Sequence, residues 1–279
     1  MVSRKVFALA RLDVTEVVRS RWPAFIFGFY LFLTLIFVGI GGRESQIVGF
    51  TGMGKVLIAV SNAIIIVLPL LSLLISSQVI NSSRENGILE LLFSHPFSRG
   101  EYFISVTFVR YLALFLPIFF LFPLFFGLSL LFPQHSAFPW KFMSLSLLLS
   151  AVLAWCFVGI GLLLSVWIRK SSRVVVYSLL IWIVAVALMD LGVIGLMLRW
   201  KLKPAVIFLL SAVNPVELVR IALVNLTFPT LHSLGPVGFF ITNKLGSGTV
   251  LTLAILWPVV VGFTAWILAF LRFKSDDLI

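Results

Sequence analysis

Six long apolar runs fill most of this chain, at Ala24–Gly41, Val56–Ile80, Val106–Phe132, Leu145–Ile168, Val174–Leu198 and Thr249–Leu271. Each is about 18 residues or longer, which at about 1.5 Å per helical residue covers the roughly 30 Å of a bilayer's hydrocarbon core. Inside lipid a helix satisfies its own backbone N–H and C=O groups, and an open strand does not. The runs therefore predict an all-α integral membrane protein with six transmembrane helices. Composition excludes the soluble alternative: of 279 residues 61% are hydrophobic and only 11% charged, too little charge to disperse a domain of this size. The connections leave no room for a separate soluble domain, so residues 1–279 read as a single unit. Cys156, the one cysteine, lies inside the fourth run and reads as a small apolar packing residue. The charged N-terminal stretch and the full length of the first run predict no cleavable signal peptide.

Six crossings return both termini to one side. Arg4, Lys5, Arg11, Arg19 and Arg21 precede the first run, Arg84 and Arg99 separate the second and third, and Arg110 lies just inside the third. Arg169, Lys170 and Arg173 crowd the short loop before the fifth run, and Arg272 and Lys274 follow the sixth. Short loops rich in Lys and Arg stay in the cytoplasm, so both termini are expected there. The formal net charge of +11 suits cytoplasmic basic residues set against anionic membrane lipid. A nucleic-acid role is not expected, because no basic stripe with interleaved aromatics stands outside the spans.

The stretch 1–23 reads as a helix lying along the membrane. Val6, Ala10, Val14, Val17 and Val18 share one face at helical spacing, with Arg4, Arg11, Asp13 and Arg19 mainly elsewhere. Trp22 suits the interface, and Pro23 turns the chain into span one. Spans one to five occupy 24–198, a helical segment on the other side occupies 199–248, and span six follows at 249–271. In the first outer loop Gly49 to Lys55 matches GxxxxGK, but Val56 follows where a phosphate-binding loop carries Ser or Thr for magnesium. No catalytic constellation and no ATPase site of the chain's own are expected.

The inner loop between spans two and three is the most informative. It carries Arg84, Glu85, Gly87, Glu90, Leu91, Ser94, His95, Pro96 and Arg99. Ile88, Leu91 and Leu92 recur at helical spacing, Glu85 and Glu90 stand near the expected helix start, and Pro96 and Gly100 are expected to end the helix. A short apolar and acidic helix of this kind either caps a hairpin of spans or docks in a soluble partner. The loop resembles the coupling helix of ABC-2 type permeases, the membrane halves of ATP-binding-cassette exporters, which also open with an interfacial helix. The likeness is closer to one branch, the permeases of transporters that mature nitrous oxide reductase. It is carried by the turn Ser94–Gly100, by Lys170-Ser171-Ser172-Arg173, by Asp190-Leu191, by Asn214 to Arg220 and, more weakly, by Gly49-Phe50-Thr51. The resemblance implies a bacterial inner-membrane protein working as a dimer with two copies of a cytoplasmic ATPase, which would hold ATP and Mg. It further implies a periplasmic partner and export of a sulfur species for the copper–sulfur centre of nitrous oxide reductase. An exporter of hydrophobic or drug-like cargo, or an ion-coupled secondary transporter, is the alternative.

Asp190 reads as the only ionisable residue well inside a span, about 12 Å from its outer end. Asn62 in span two lies at a matching depth, so the two are candidates for a hydrogen bond, as an interhelical tie or in a cargo or proton path. Beyond span five, Pro204–Val213 is apolar but too short to cross. Asn214, Pro215 and Glu217 then form a helix start, with Asn as cap, Pro at the first position and Glu reaching back to the cap. This segment reads either as a re-entrant pair or as a packed surface loop; with Arg220, it is an external gate or partner contact by the resemblance alone. His95, His135 and His232 are scattered, so no metal site is expected.

Overall fold

The computed structural model describes residues 2–19, 21–41, 52–95, 97–129, 140–189, 203–227 and 240–275, with Gly192, Gly195 and Gly238. Among these residues every regular element is helical. Helix α1 (Val2–Arg19) precedes α2 (Trp22–Gly41), and α3 (Gly52–Ser77) runs into the short α4 (Val79–Glu85) and α5 (Ile88–Phe93). Then come α6 (Arg99–Ser129), α7 (Trp140–Trp167) and α8 (Ser171–Ile183), the last extended by a π-helical turn at Val184–Leu188. Helices α9 (Pro204–Val213) and α10 (Pro215–Thr227), a second π turn at Ile241–Leu245 and α11 (Ser247–Ser275) complete the chain.

Among the described residues five helices are long and apolar enough to cross a bilayer, or six if the bent pair of α9 and α10 forms one span. Helix α2, expected as span one, runs for 20 residues without a charged side chain. The outside of the bundle is apolar: Phe32, Phe120, Leu180, Leu209, Val260 and Leu268 are all exposed. That is the reverse of a soluble protein, and it fits a solvent of lipid tails or a second apolar surface.

Helix α7 forms the axis of the bundle. Of its apolar stretch 61% is buried, against 28% in α11 and 11% in α8, and it packs chiefly on α11 and α3. Small residues permit the close approach. A Cβ on Gly262 would stand 2.7 Å from Trp155 Cδ1 and 2.9 Å from Cys156 Cα, and one on Gly161 would collide with Ser76 Oγ. Gly262→Val is expected to cost about 1–3 kcal/mol through overpacking, measured as a lower melting temperature in detergent. Gly28→Ala, with nothing within 4 Å of its Cβ, is expected to leave that temperature unchanged.

Several polar groups inside the bundle close locally or across helices. Ser72 Oγ donates to Leu68 O at 2.7 Å. Ser178 Oγ donates to Ser77 Oγ at 3.0 Å and ties α8 to α3. Trp182 Nε1 donates to Ile66 O at 3.0 Å, one turn before Pro69. In lipid an unmade bond at any of these places would cost several kcal/mol.

Helix α1 packs along α6. Leu9 and Val17 are buried against the bundle while Val14 and Val18 are exposed. Asp13, expected among the polar positions, points between the buried pair and meets α6: Arg110 Nη2 donates to Asp13 Oδ1 at 2.7 Å, with Glu16 Oε1 at 3.5 Å. Helix α6 begins seven residues before the third apolar run, so Arg110 lies about 16 Å along it and is 6% exposed. Arg110 is thus a buried ionisable residue within a helix long enough to cross.

Candidate functional site

The loop between the second and third crossings folds as a hairpin of two short helices. The expected single helix from Glu85 to His95 is broken at Gly87, whose φ of 67° lies in the left-handed region that glycine adopts without strain. Glu85 therefore ends α4 rather than starting a helix, and Glu90 falls in the first turn of α5, where a negative charge is favoured. Gly100 does not stop a helix but lies in the first turn of α6. That helix starts in a capping box: Ser98 N donates to Glu101 Oε2 at 2.9 Å, and Glu101 N donates to Ser98 Oγ at 3.2 Å. Pro96 lies outside the described residues.

The hairpin is seated on the bundle by one apolar anchor, a ring of aromatics and several long-range bonds. Leu89 is 1% exposed and joins the main core. Phe93 packs against Tyr102 of α6 and Phe273 of α11, at centroid distances of 6.0 and 6.4 Å, and Phe103 continues the cluster to Trp266 and Phe270. Tyr102 Oη donates to Ser83 Oγ at 3.2 Å. Arg99 Nη1 donates to Lys274 O at 3.1 Å, which brings the end of α11 beside the hairpin. Glu85 Oε1 accepts from Ser171 N at 3.0 Å and so caps α8. Asn81 supplies a further joint, donating through Nδ2 to Ile168 O at 2.7 Å and accepting through Oδ1 from Ser165 Oγ at 2.7 Å. Displacement of the hairpin would thus be felt by α6, α7, α8 and α11 together. Sequence reasoning missed Asn81, Ser98 and Glu101; for the last two the Ser-x-x-Glu spacing was the available signal.

The other face of the hairpin is open. Leu91 is 69% and Ile88 41% exposed, and Glu90, Ser94 and His95 are exposed beside them. Ser94 Oγ bonds to Leu91 O of its own turn at 2.8 Å. Arg84 is half-buried in the last turn of α4. Two branched apolar side chains flanking a carboxylate on a short helix suit a groove with an apolar floor and a basic rim.

Helices α9 and α10 meet at a bend of 119°, past a right angle, so the chain turns back on itself. Asn214 stands at the corner, 5% exposed, and caps α10 as its sequence predicts: Val216 N donates to Asn214 Oδ1 at 3.0 Å. Its Nδ2 donates to Ala185 O in the π turn that extends α8. Trp257 Nε1 of α11 donates to Val213 O at 2.9 Å, ten residues and about 15 Å from the start of α11, while Asn225 Nδ2 reaches Ser247 O at 3.4 Å. The corner therefore lies deep in the bundle and the far end of α10 at its rim, at the end away from the hairpin. Pro215 opens α10, and Glu217 Oε1 accepts from Arg220 Nη1 at 2.9 Å.

Asn62 Nδ2 donates to Ile58 O of its own helix at 3.2 Å; Asp190, its expected partner, lies outside the described residues, as do His135, His232 and Gly49–Thr51. No group of three or more His, Cys, Asp or Glu side chains among the described residues is placed to hold a metal ion.

Burial pushes the Asp13 carboxyl up to about 6, partly opposed by the Arg110 charge and helped by Glu16. A carboxyl raised in the fold stabilises it most when protonated, so this contribution is complete below about pH 4 and is lost as pH rises through about 6. Melting temperature is expected to rise on acidification from pH 7 to pH 5 by more in the wild type than in Asp13→Asn, which keeps an acceptor oxygen for Arg110 but does not titrate. Identical pH profiles for the two proteins would remove Asp13 as the source.

A family model described as ABC-2 family transporter protein matches residues 7–278. A probable ABC transporter permease protein NosY of Stutzerimonas stutzeri is 25% identical over 228 residues, covering 80% of this chain and 82% of that protein. The protein of the same description from Pseudomonas aeruginosa is 27% identical over 238 residues, again covering 80% and 82%. With an all-helical bundle of apolar exterior and a family match over nearly its whole length, this chain belongs to the ABC-2 family of transporter proteins.

Proposed function

We propose that this chain is the export permease half of a transporter driven by a separate cytoplasmic ATPase, which docks on the α4–α5 hairpin. The observation that carries the reading is the division of α5 into two faces. Leu89 and Phe93 grip the bundle, while Ile88, Glu90 and Leu91 are left for a partner. Membership of an ABC transporter family supplies the partner's class. Two chains would pair with two ATPase subunits, ATP and Mg being held by the ATPases. Closure of the ATPases would push α5, and the aromatic ring with the Glu85 and Asn81 joints would pass that push to the crossings. The chain stores no chemical energy; it converts differential docking into two membrane conformations.

Both termini are assigned to the cytoplasm of a bacterial inner-membrane protein. The basic loops support this, as does the placing of Lys274 beside the hairpin. The α9–α10 pair, whose outer end lies at the rim away from the hairpin, is then a re-entrant external gate hinged on Asn214, or the contact for a periplasmic partner, with Pro215, Glu217 and Arg220. The likeness to the NosY permeases and the motifs shared with the nitrous oxide reductase branch support a sulfur species as cargo, for the copper–sulfur centre of that enzyme.

The test is co-expression with a candidate ABC ATPase of the same organism, reconstitution in liposomes, and measurement of ATP-dependent export. Glu90→Lys is expected to reduce coupled transport at least tenfold with the bundle intact, by placing a cation where the groove's basic rim should lie. Unaltered transport by Glu90→Lys would count against the docking face, and transport by the permease alone would sink the reading.

A further inference from the structure

Along α6 the residues Val109, Leu112, Ala113, Leu116, Pro117 and Phe120 recur at three- and four-residue spacing and form one stripe. The stripe runs from Val109 to Phe120, about 16 Å at the helical rise, and roughly half the hydrocarbon thickness of a bilayer. Val14, Val17 and Val18 of α1 and Pro23 and Phe27 of α2 face it. The three helices enclose a cleft of about 330 Å³ in which every lining side chain is apolar. The volume falls at the low end of that of small-molecule sites. At about 30 Å³ for a water-sized group, it admits on the order of ten methylenes.

The cleft opens outward, past Val18, Leu116 and Phe120, which are 65%, 42% and 56% exposed. It lies on the hairpin side of the apolar run Val106–Phe132 that α6 carries, beside the Asp13–Arg110 pair that fixes α1 there. At its mouth the chain turns from α1 to α2 at Arg21, whose φ of 59° is unusual for a residue other than glycine. Arg19, which follows the lining residue Val18, and Arg21, two residues before the lining residue Pro23, are both exposed. A narrow apolar slot one leaflet deep with two guanidinium groups at its rim matches a hydrocarbon tail joined to an anionic head.

We propose that the cleft between α1, α2 and α6 holds one acyl chain of an anionic phospholipid from the hairpin-side leaflet, its phosphate headgroup lying against Arg19 and Arg21. The lipid then acts as a wedge between the interfacial helix and the helix that leads out of the hairpin. A flat protein surface would leave so narrow a slot unfilled, and a zwitterionic lipid would not use the two cations.

The full chain, purified in detergent and delipidated, is titrated with palmitoyl-oleoyl phosphatidylglycerol or the matching phosphatidylcholine, and bound lipid is read by native mass spectrometry. One phosphatidylglycerol per chain is expected to be retained in preference to phosphatidylcholine. Leu116→Trp and, on the opposite wall, Val18→Trp fill the slot from exposed positions and are expected to weaken retention at least tenfold. Arg19→Gln and Arg21→Gln are each expected to reduce the preference for phosphatidylglycerol about fivefold, the usual contribution of one basic residue at an anionic surface. Equal retention of both lipids by the wild type, or unaltered retention by both tryptophan variants with melting temperatures preserved, overturns the proposal. If the tryptophan variants change only the number of chains per particle, the cleft is a contact between copies and the proposal falls.

Discussion

The double variant Ile88→Arg/Leu91→Arg is expected to fold and insert normally and to lose its ATPase. Both side chains are exposed, at 41% and 69%, so nothing in the bundle must repack. Docking would bury them, and full burial of a Leu or Ile side chain contributes about 1.5–3 kcal/mol. Removing two such contributions and placing two cations against a basic rim is expected to weaken ATPase binding by 100-fold or more. The measurement is the amount of ATPase that co-purifies, beside the melting temperature of the permease. Leu89→Arg is the contrast: Leu89 is 1% exposed, so this variant is expected to damage the fold itself. If the double variant binds ATPase normally, the docking face has been assigned to the wrong surface.

The second large effect is expected at the tie between α1 and α6. Asp13→Leu leaves the Arg110 guanidinium buried with only Glu16, which stands 3.5 Å away and is 63% exposed, as an ionic neighbour from α1. Removing one partner of a buried ion pair typically costs 3–5 kcal/mol, about 10 °C in melting temperature for a chain of this size. Arg110→Met alone is expected to cost less, because the buried Asp13 carboxyl, already pushed up, can take a proton. The pair Asp13→Leu/Arg110→Met is expected to recover most of the loss, because neither charge then needs solvation. Additive losses in the double variant would mean that the two residues act separately.

Much of the architecture was legible because its causes are local. The length and apolarity of a run are properties of consecutive residues, and α3, α6, α7, α8 and α11 lie on runs that sequence had marked. Asn214-Pro215 was legible for the same reason: a cap and its helix are neighbours in the chain, and the Asn214–Val216 bond closes over two residues. Errors arose where one residue outweighs an average. Gly87 breaks a hairpin that helical spacing alone would carry through. The Ser98–Glu101 box starts α6 well before its apolar run begins, which places Arg110 deeper than a hydropathy boundary suggests.

The site divides in the same way. The sequence by itself determined the solvent of this protein, the approximate places of its crossings and the presence of an apolar and acidic turn between the second and third. Each follows from side chains close together in the chain, at the helical repeat. Only the tertiary structure decided which face of that turn is free, that Glu85 caps α8, that Asn81 joins α4 to α7, that Asn214 reaches Ala185, and that Asp13 meets Arg110 across 97 positions. These partners are chosen by packing, because a buried polar group must bond with whatever the fold brings within reach. No local pattern specifies which distant helix that will be.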